Sequence, residues 1–123
     1  MTDRKARMNP AEAGAALVAI VTTVATREQA QAIATDLVER GLAACAQWSP
    51  IDSIYRWQGA LQHDTEIRLL LKTTAANYAA VEAAIRERHP YELPAIYALA
   101  IVDAFDPYAD WVREGATPRM TPR

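Results

Sequence analysis

The hydrophobic and polar positions of this chain follow the two periods that are typical of strands and helices. A continuous apolar run over residues 15–23 predicts a first strand that is covered on both faces. A helix follows, because Thr26 and Gln29 have the spacing of a capping box and Gly41 supplies a C-terminal stop. Its inward-facing positions recur at helical spacing and are Ala30, Ile33, Ala34, Leu37 and Val38.

The middle of the chain predicts a long hairpin. Its first strand covers residues 42–57, with a bulge or a sheet edge at Pro50, because proline cannot donate a hydrogen bond to a ladder. Tyr55 and Trp57 share one face of this strand near its end. The next two residues form the turn, and a third strand returns over residues 61–73. The inward face of that third strand carries Ile67, Leu69 and Leu71.

The last third of the chain predicts a helix over residues 74–89, a strand over 96–105 and a short helix. The short helix begins at Asp106, a cap, with Pro107 in its first turn. The inner positions of the two helices are Tyr78, Val81, Ala84 and Ile85, and then Tyr108, Trp111 and Val112. The order β-α-β-β-α-β predicts an α+β fold of the ferredoxin-like, split βαβ type.

The same reading sets the expected domain limits. We expect one domain over residues 14–116, between disordered tails over residues 1–13 and 117–123.

The predicted sheet is too apolar for one face to stand in water. When helices cover one face of a sheet and water covers the other, apolar and polar residues alternate along each strand. The first, third and fourth strands here are apolar at most positions and alternate less cleanly. The hairpin also extends beyond its own core and carries aromatic side chains. Both features predict an oligomer, in which another subunit covers the second face.

Composition and charge narrow the classes of function. The chain has 123 residues, of which 51% are hydrophobic and 23% are charged, as in ordinary globular proteins. With 13 basic and 15 acidic residues the net charge is −2, which gives no electrostatic footprint for nucleic acid. No apolar run reaches the length of a membrane span. The single cysteine, Cys45, cannot form an internal disulfide, which favours a reducing compartment.

The segment from His89 to Pro94 is the strongest candidate for a binding loop. Pro90 and Pro94 restrict their own backbone and that of the residue before each of them, so the loop is stiff at both ends. A stiff loop holds the imidazole of His89, the hydroxyl of Tyr91 and the carboxylate of Glu92 in fixed directions, as a binding site requires. A loop that only ends a helix and begins a strand has the same pattern, and the spacing alone leaves both interpretations open.

The usual catalytic and metal motifs do not occur in this sequence. Cys45, His63 and His89 lack local ligand spacing, and no nucleophile elbow or phosphate-binding glycine loop is present. Residues 22–27 offer a helix N-terminus and one arginine, Arg27, without a glycine-rich cradle. An acylphosphatase-like hydrolase on the same fold therefore stays as an alternative.

Several separated motifs resemble the CutA family of divalent-cation tolerance proteins. They are LAACA at 42–46, SIYRWQG at 53–59, Glu66 with LLKTT at 70–74, HPYELP at 89–94, and Tyr108 with Trp111. The resemblance covers residues 16–115 in the expected order. It implies a ferredoxin-like subunit in a tight homotrimer that is similar in build to PII-type signalling proteins. It also implies a cytoplasmic protein linked to copper and divalent-cation tolerance, without established enzymatic activity.

The resemblance further implies where a metal would bind. The resemblance implies that the ligands in copper-binding members are a cysteine at the end of strand one and a His-His pair before Pro-Tyr. The matching positions here are Thr22, Arg88 and His89, and only the histidine is a good ligand for copper. His89 is therefore the candidate ligand for copper or another divalent cation.

The leading interpretation is a trimeric, non-catalytic binding or signalling protein of the metal-ion response. We expect an inter-subunit cleft lined by Trp57, Lys72, His89, Tyr91 and Glu92. We expect Lys72 to pair with Glu66 or Glu92, or to be solvated, and we expect the trimer interface to include Tyr55, Trp57 and Trp111. A purely structural trimer that recruits partners is a further alternative, which the sequence does not separate from the first.

Overall fold

The structure, a computed structural model, describes residues 9–119 and contains one four-stranded antiparallel sheet. The strands lie in the order β2-β3-β1-β4, which is the split βαβ layout predicted above, so the α+β fold class is confirmed. In chain order the elements are α1 (Pro10–Ala15), β1 (Leu17–Val24), α2 (Arg27–Glu39), β2 (Cys45–Trp57), β3 (Ala60–Thr74), a 3₁₀ turn (Ala75–Asn77), α3 (Tyr78–Arg88), β4 (Ile96–Ala100) and α4 (Asp106–Gly115).

The main core lies between one face of the sheet and helices α2 and α3. The predicted inner positions of both helices are buried, except that Tyr78 is half-buried and Val38 is 37% exposed. Val38 was therefore wrongly assigned to the core, because it lies at the margin of an apolar stripe that is narrower than predicted. The buried apolar residues on the sheet side of this core are Ile20, Val24, Ile67, Leu69 and Leu71.

The predicted ends of α2 are both confirmed. Thr26 Oγ1 accepts the backbone N–H of Gln29 at 3.1 Å, and Gln29 Oε1 accepts that of Thr26 at 3.1 Å, which completes the capping box. Gly41 follows the helix with φ = 71°, where L side chains are strained. A Cβ at Gly41 would lie only 2.2 Å from the carbonyl oxygen of Thr117, so the site needs glycine for space as well.

The hairpin of β2 and β3 is regular along its whole length. Its register runs without interruption from Cys45 opposite Lys72 to Trp57 opposite Ala60. Of the two predicted alternatives for Pro50, a bulge or a sheet edge, the edge is therefore confirmed, and the pairing at Pro50 has no bulge. The two turn residues have φ values of 51° and 81°, the positive pair that a two-residue hairpin of type I′ requires.

The C-terminal part differs from the prediction in two respects. Strand β4 ends at Ala100 instead of Phe105, because its partner β1 pairs with it only as far as Val18. Apolar character misled the prediction, since Phe105 is 75% exposed. Asp106 is not the cap of α4: Phe105 holds that position without a side-chain bond, and Asp106 lies in the first turn, where a carboxylate suits the helix dipole.

Both ends of the described chain make defined backbone hydrogen bonds. Residues 10–13 of the predicted N-terminal tail lie in α1, whose first turn is capped by Asn9. At the other end the Arg119 N–H donates to the Arg40 carbonyl at 2.8 Å. The rest of both predicted tails lies outside the described residues. Within residues 9–119 no helix is both long and apolar enough to cross a membrane.

Candidate binding cleft

A cleft of about 550 Å³ lies on the sheet face that points away from α2 and α3. Val24 and Ile67 face the helix-side core, so their neighbours Thr23 and Glu66 face the opposite side and border the cleft. The far end of the hairpin and the loop over residues 89–95 supply the other walls. Three of the lining residues are aromatic (Tyr55, Trp57, Tyr91) and three are acidic (Asp64, Glu66, Glu92). The other lining residues are Thr23, Leu93 and Ala95.

Two tyrosine hydroxyls orient two of the carboxylates. Tyr91 donates to Glu66 Oε1 at 3.2 Å, and Tyr55 donates to the carboxylate of Asp64. Burial, together with the charge of Glu66, raises the pKa of the Tyr91 hydroxyl to about 12. The hydrogen bond to Asp64 likewise raises the pKa of Tyr55. Both hydroxyls therefore stay protonated at neutral pH and act as donors, which leaves the carboxylates as the charged groups of the cleft.

His89 lies behind the cleft and connects its loop to the sheet. Its Nε2 is 2.7 Å from the carbonyl oxygen of Thr23, and since a carbonyl only accepts, Nε2 carries the hydrogen. Its Nδ1 accepts the backbone N–H of Tyr91 at 3.1 Å, so Nδ1 carries none. The partners thus define a neutral imidazole in one tautomer. Burial lowers the pKa of His89, which favours the same neutral form.

The three positions at which the resemblance implies a copper site do not fit that metal. Both ring nitrogens of His89 are engaged, so ligation would break one of their hydrogen bonds. Arg88 pairs with Asp36 at 3.4 Å, and a guanidinium offers no lone pair. Thr22 Oγ1 is buried without a hydrogen-bond partner in the described chain, but a hydroxyl is a poor ligand for copper. Across residues 9–119 no three His, Cys, Asp or Glu side chains are grouped to hold a metal ion.

The structure brings together most of the predicted cleft residues. Trp57, Tyr91 and Glu92 line the cleft, and His89 supports it from behind. Within one chain Lys72 lies elsewhere: its Nζ sits over the ring of Tyr108, 5.4 Å from the centroid, near α4. The predicted pairing of Lys72 with Glu66 or Glu92 is therefore not found within the described chain.

Sequence reasoning missed Asp64 as a cleft residue and named Glu66 only as a motif residue and as a partner for lysine. These two carboxylates alternate along β3 on the face that also carries Tyr55. The sequence signal that finds them is a pair of acidic residues two positions apart on one strand, opposite aromatic residues of the paired strand. Cys45 begins β2, is half-buried and forms no disulfide.

Capping already uses three N–H groups at the start of α2, where an acylphosphatase-like enzyme would bind its anion. Gln29 Oε1 accepts the N–H groups of both Ala25 and Thr26, at 3.0 and 3.1 Å. Thr26 Oγ1 takes a third N–H group, that of Gln29. Since these donors would otherwise bind an anion, the geometry does not favour the hydrolase alternative.

Fold and cleft together define a small ferredoxin-like protein with an acidic, aromatic cleft on its open sheet face. Residues 18–115 match the family described as CutA1 divalent ion tolerance protein. The divalent-cation tolerance protein CutA of Thermus thermophilus is 43% identical over 96 residues, which are 77% of this chain and 93% of that protein. The chain belongs to the CutA family of divalent-cation tolerance proteins.

Two further similarities agree with this assignment. A CutA homolog of Xenopus laevis is 44% identical over 84 residues, 68% of this chain and 56% of that relative. The solved structure of CutA from Synechococcus elongatus has a TM-score of 0.80 at 40% identity and covers 84% of this chain and 92% of its own. The likeness therefore extends over both sequence and fold.

Proposed function

We propose that this CutA-family protein is a non-catalytic, homotrimeric binding protein of the metal-ion response, with ligand clefts at its subunit boundaries. One observation carries the proposal. The cleft lies on the same sheet face whose apolar side chains, within residues 9–119, are covered by a helix at one end only. A subunit that covers this face therefore also borders the cleft, so assembly and binding use one surface.

The uncovered face is too apolar for a subunit that stands alone. Helix α4 covers it only at one end, where Ala109 and Val112 pack on Leu17. Farther along β4, Tyr97 is 47% exposed and Leu99 is 50% exposed. Contiguous apolar surface of this kind marks interaction sites.

The chain continues this apolar surface past the sheet. Val102 and Phe105, just after β4, are 80% and 75% exposed. We include Tyr55, Trp57 and Trp111 in the proposed interface, since each is at least 38% exposed despite its large apolar ring. Three copies are proposed because of the resemblance in build to PII-type trimers.

The proposal contains no resident copper ion and no catalytic step. Thr22, Arg88 and His89 do not fit a copper site, and the link to divalent cations is the one that the family description states. A cytoplasmic location belongs to the proposal as well, supported by the free thiol of Cys45.

Light scattering after size exclusion tests the assembly. At micromolar concentration we expect three times the mass of one chain for the wild type and a smaller species for Leu99→Glu, because a buried unpaired carboxylate disrupts an apolar interface. The matched control is Val38→Glu, which adds the same charge on α2, away from the sheet face. A monomeric or dimeric wild type contradicts the proposal, and so does a Leu99→Glu variant with unchanged mass.

A further inference from the structure

We infer that the cleft takes a small organic cation, a guanidinium or alkylammonium group on an apolar stem, in preference to a metal ion. This inference rests on the proposed function, since it names the ligand class of the same cleft. Three features of the cleft support it: uncompensated negative charge, the spacing of the carboxylates, and the aromatic walls.

Within one subunit, over residues 9–119, the negative charge of the cleft has no compensating cation. Asp64, Glu66 and Glu92 line it, and no lysine, arginine or histidine is part of the lining. The ion pairs of the described chain all lie elsewhere, between Asp36 or Asp110 and arginines. Arg68 follows Glu66 by two positions on the same face, but no ion pair joins them within residues 9–119. A cationic ligand would supply the missing charge.

The carboxylates are arranged for a ligand longer than a single ion. Asp64 and Glu66 are two positions apart on one strand, which separates their Cα atoms by about 7 Å. Each accepts a tyrosine hydroxyl, from Tyr55 and Tyr91 respectively, so each has a fixed direction and further acceptor capacity. A planar guanidinium has five N–H donors in a fork that bridges separated acceptors, whereas a metal ion needs oxygens that converge to within about 2.5 Å of it.

The aromatic walls favour an organic cation for a second reason. Trp57, Tyr55 and Tyr91 present π-systems beside the carboxylates, and such faces attract a cation through the ring quadrupole. Leu93, which is 71% exposed, offers apolar surface for a stem. The volume of about 550 Å³ lies within the range of small-molecule sites. The occupant that we infer from these features is a small molecule with a cationic group and an apolar stem.

Calorimetric titration with a matched pair of probes tests the inference. n-Butylguanidinium is cationic, and n-butylurea is its neutral, planar counterpart with the same stem. We expect the wild-type protein to bind the cation at least about tenfold more tightly, with the difference shrinking at high salt. Equal binding of the two probes, or no binding of either, overturns the inference. Copper(II) or zinc(II) that displaces n-butylguanidinium from the cleft also overturns it, in favour of a metal site.

Charge-removing variants locate the binding. Glu66→Gln keeps the shape of the side chain. It is expected to weaken the binding of n-butylguanidinium about tenfold and to leave the binding of n-butylurea unchanged. Glu87→Gln removes the same charge from the exposed surface of α3 and is the control. Tyr91→Phe, which frees Glu66 of its hydroxyl partner but keeps the ring, is a second variant, expected to retain the preference for the cation. Equal weakening by Glu66→Gln and Glu87→Gln contradicts a local site.

The outcome separates the ligand class from the assembly. Light scattering on the titrated sample reports the number of subunits independently of binding. A trimer without preference for the cation overturns the ligand class alone. A monomer that keeps the preference overturns the subunit boundary and supports the ligand class.

Discussion

Replacing His89 by alanine is expected to loosen the cleft loop and to lower the free energy of unfolding by an amount that depends on pH. In the wild type His89 donates to the Thr23 carbonyl at 2.7 Å and accepts the Tyr91 N–H at 3.1 Å. His89→Ala removes both hydrogen bonds. At about 1 kcal/mol for each, the free energy of unfolding falls by about 2 kcal/mol near pH 8.

The sign of the pH dependence follows from the direction of the pKa shift. Burial lowers the pKa of His89 below its ordinary value of 6.5, so the unfolded chain binds a proton more readily than the folded one. The contribution of His89 is complete above pH 6.5 and declines as the pH falls through the folded-state pKa. Protonated Nδ1 no longer accepts the Tyr91 N–H, so the gap between wild type and His89→Ala narrows by about 1 kcal/mol in acid.

Urea unfolding at about pH 8 and about pH 5 measures this gap. One protein concentration is used throughout, because the stability of an oligomer depends on it. The control is His63→Ala, which removes the other histidine, exposed on the hairpin, and is expected to change stability by less than about 0.5 kcal/mol. A gap of the same size at both pH values, or a His63→Ala loss equal to that of His89→Ala, refutes the reasoning.

Two further predictions concern stability and use urea unfolding at neutral pH. Gly41 and Gly59 both have positive φ, so alanine costs about 1–2 kcal/mol at each, but only at Gly41 would the new Cβ meet a backbone oxygen, at 2.2 Å. Gly41→Ala should therefore cost at least about 1 kcal/mol more than Gly59→Ala, and equal losses contradict the predicted clash. Asn77 Nδ2 lies 2.6 Å from the Ala116 carbonyl oxygen and 3.3 Å from that of Leu42, both in the interior. Asn77→Ala should cost about 1–3 kcal/mol, and a loss below about 0.5 kcal/mol would mean that water replaces the amide.

The fold was predictable because short-range patterns agreed with the long-range pairing. The capping box at Thr26, the glycine at 41 and the turn at residues 58–59 each define an element end through local chemistry. Prediction failed where only apolar character was available. Val102 and Phe105 looked like strand residues because surface apolar side chains are indistinguishable in sequence from core ones.

The site was only partly predictable because its residues meet through register. The loop from His89 to Pro94 was found from its prolines, and Trp57 from its place in the hairpin. Asp64 joins them only because β2 and β3 pair without a bulge, which places it beside Tyr55. A slip of one residue in that register would turn Asp64 to the other face, so the sequence pattern alone did not define the acidic wall.

His89, the candidate copper ligand that the resemblance implies, has a sufficient physical reason to be present without a metal. Its neighbour Arg88 pairs with Asp36 and thereby connects α3 to α2, a contact that a histidine in its place would change. His89 itself joins α3, β1 and the loop through two hydrogen bonds that use both of its nitrogens. A ligand role and this positioning role compete for the same lone pair on Nδ1. We therefore expect metal binding at His89 to require opening of the cleft loop, and the geometry of the cleft to depend on a neutral imidazole.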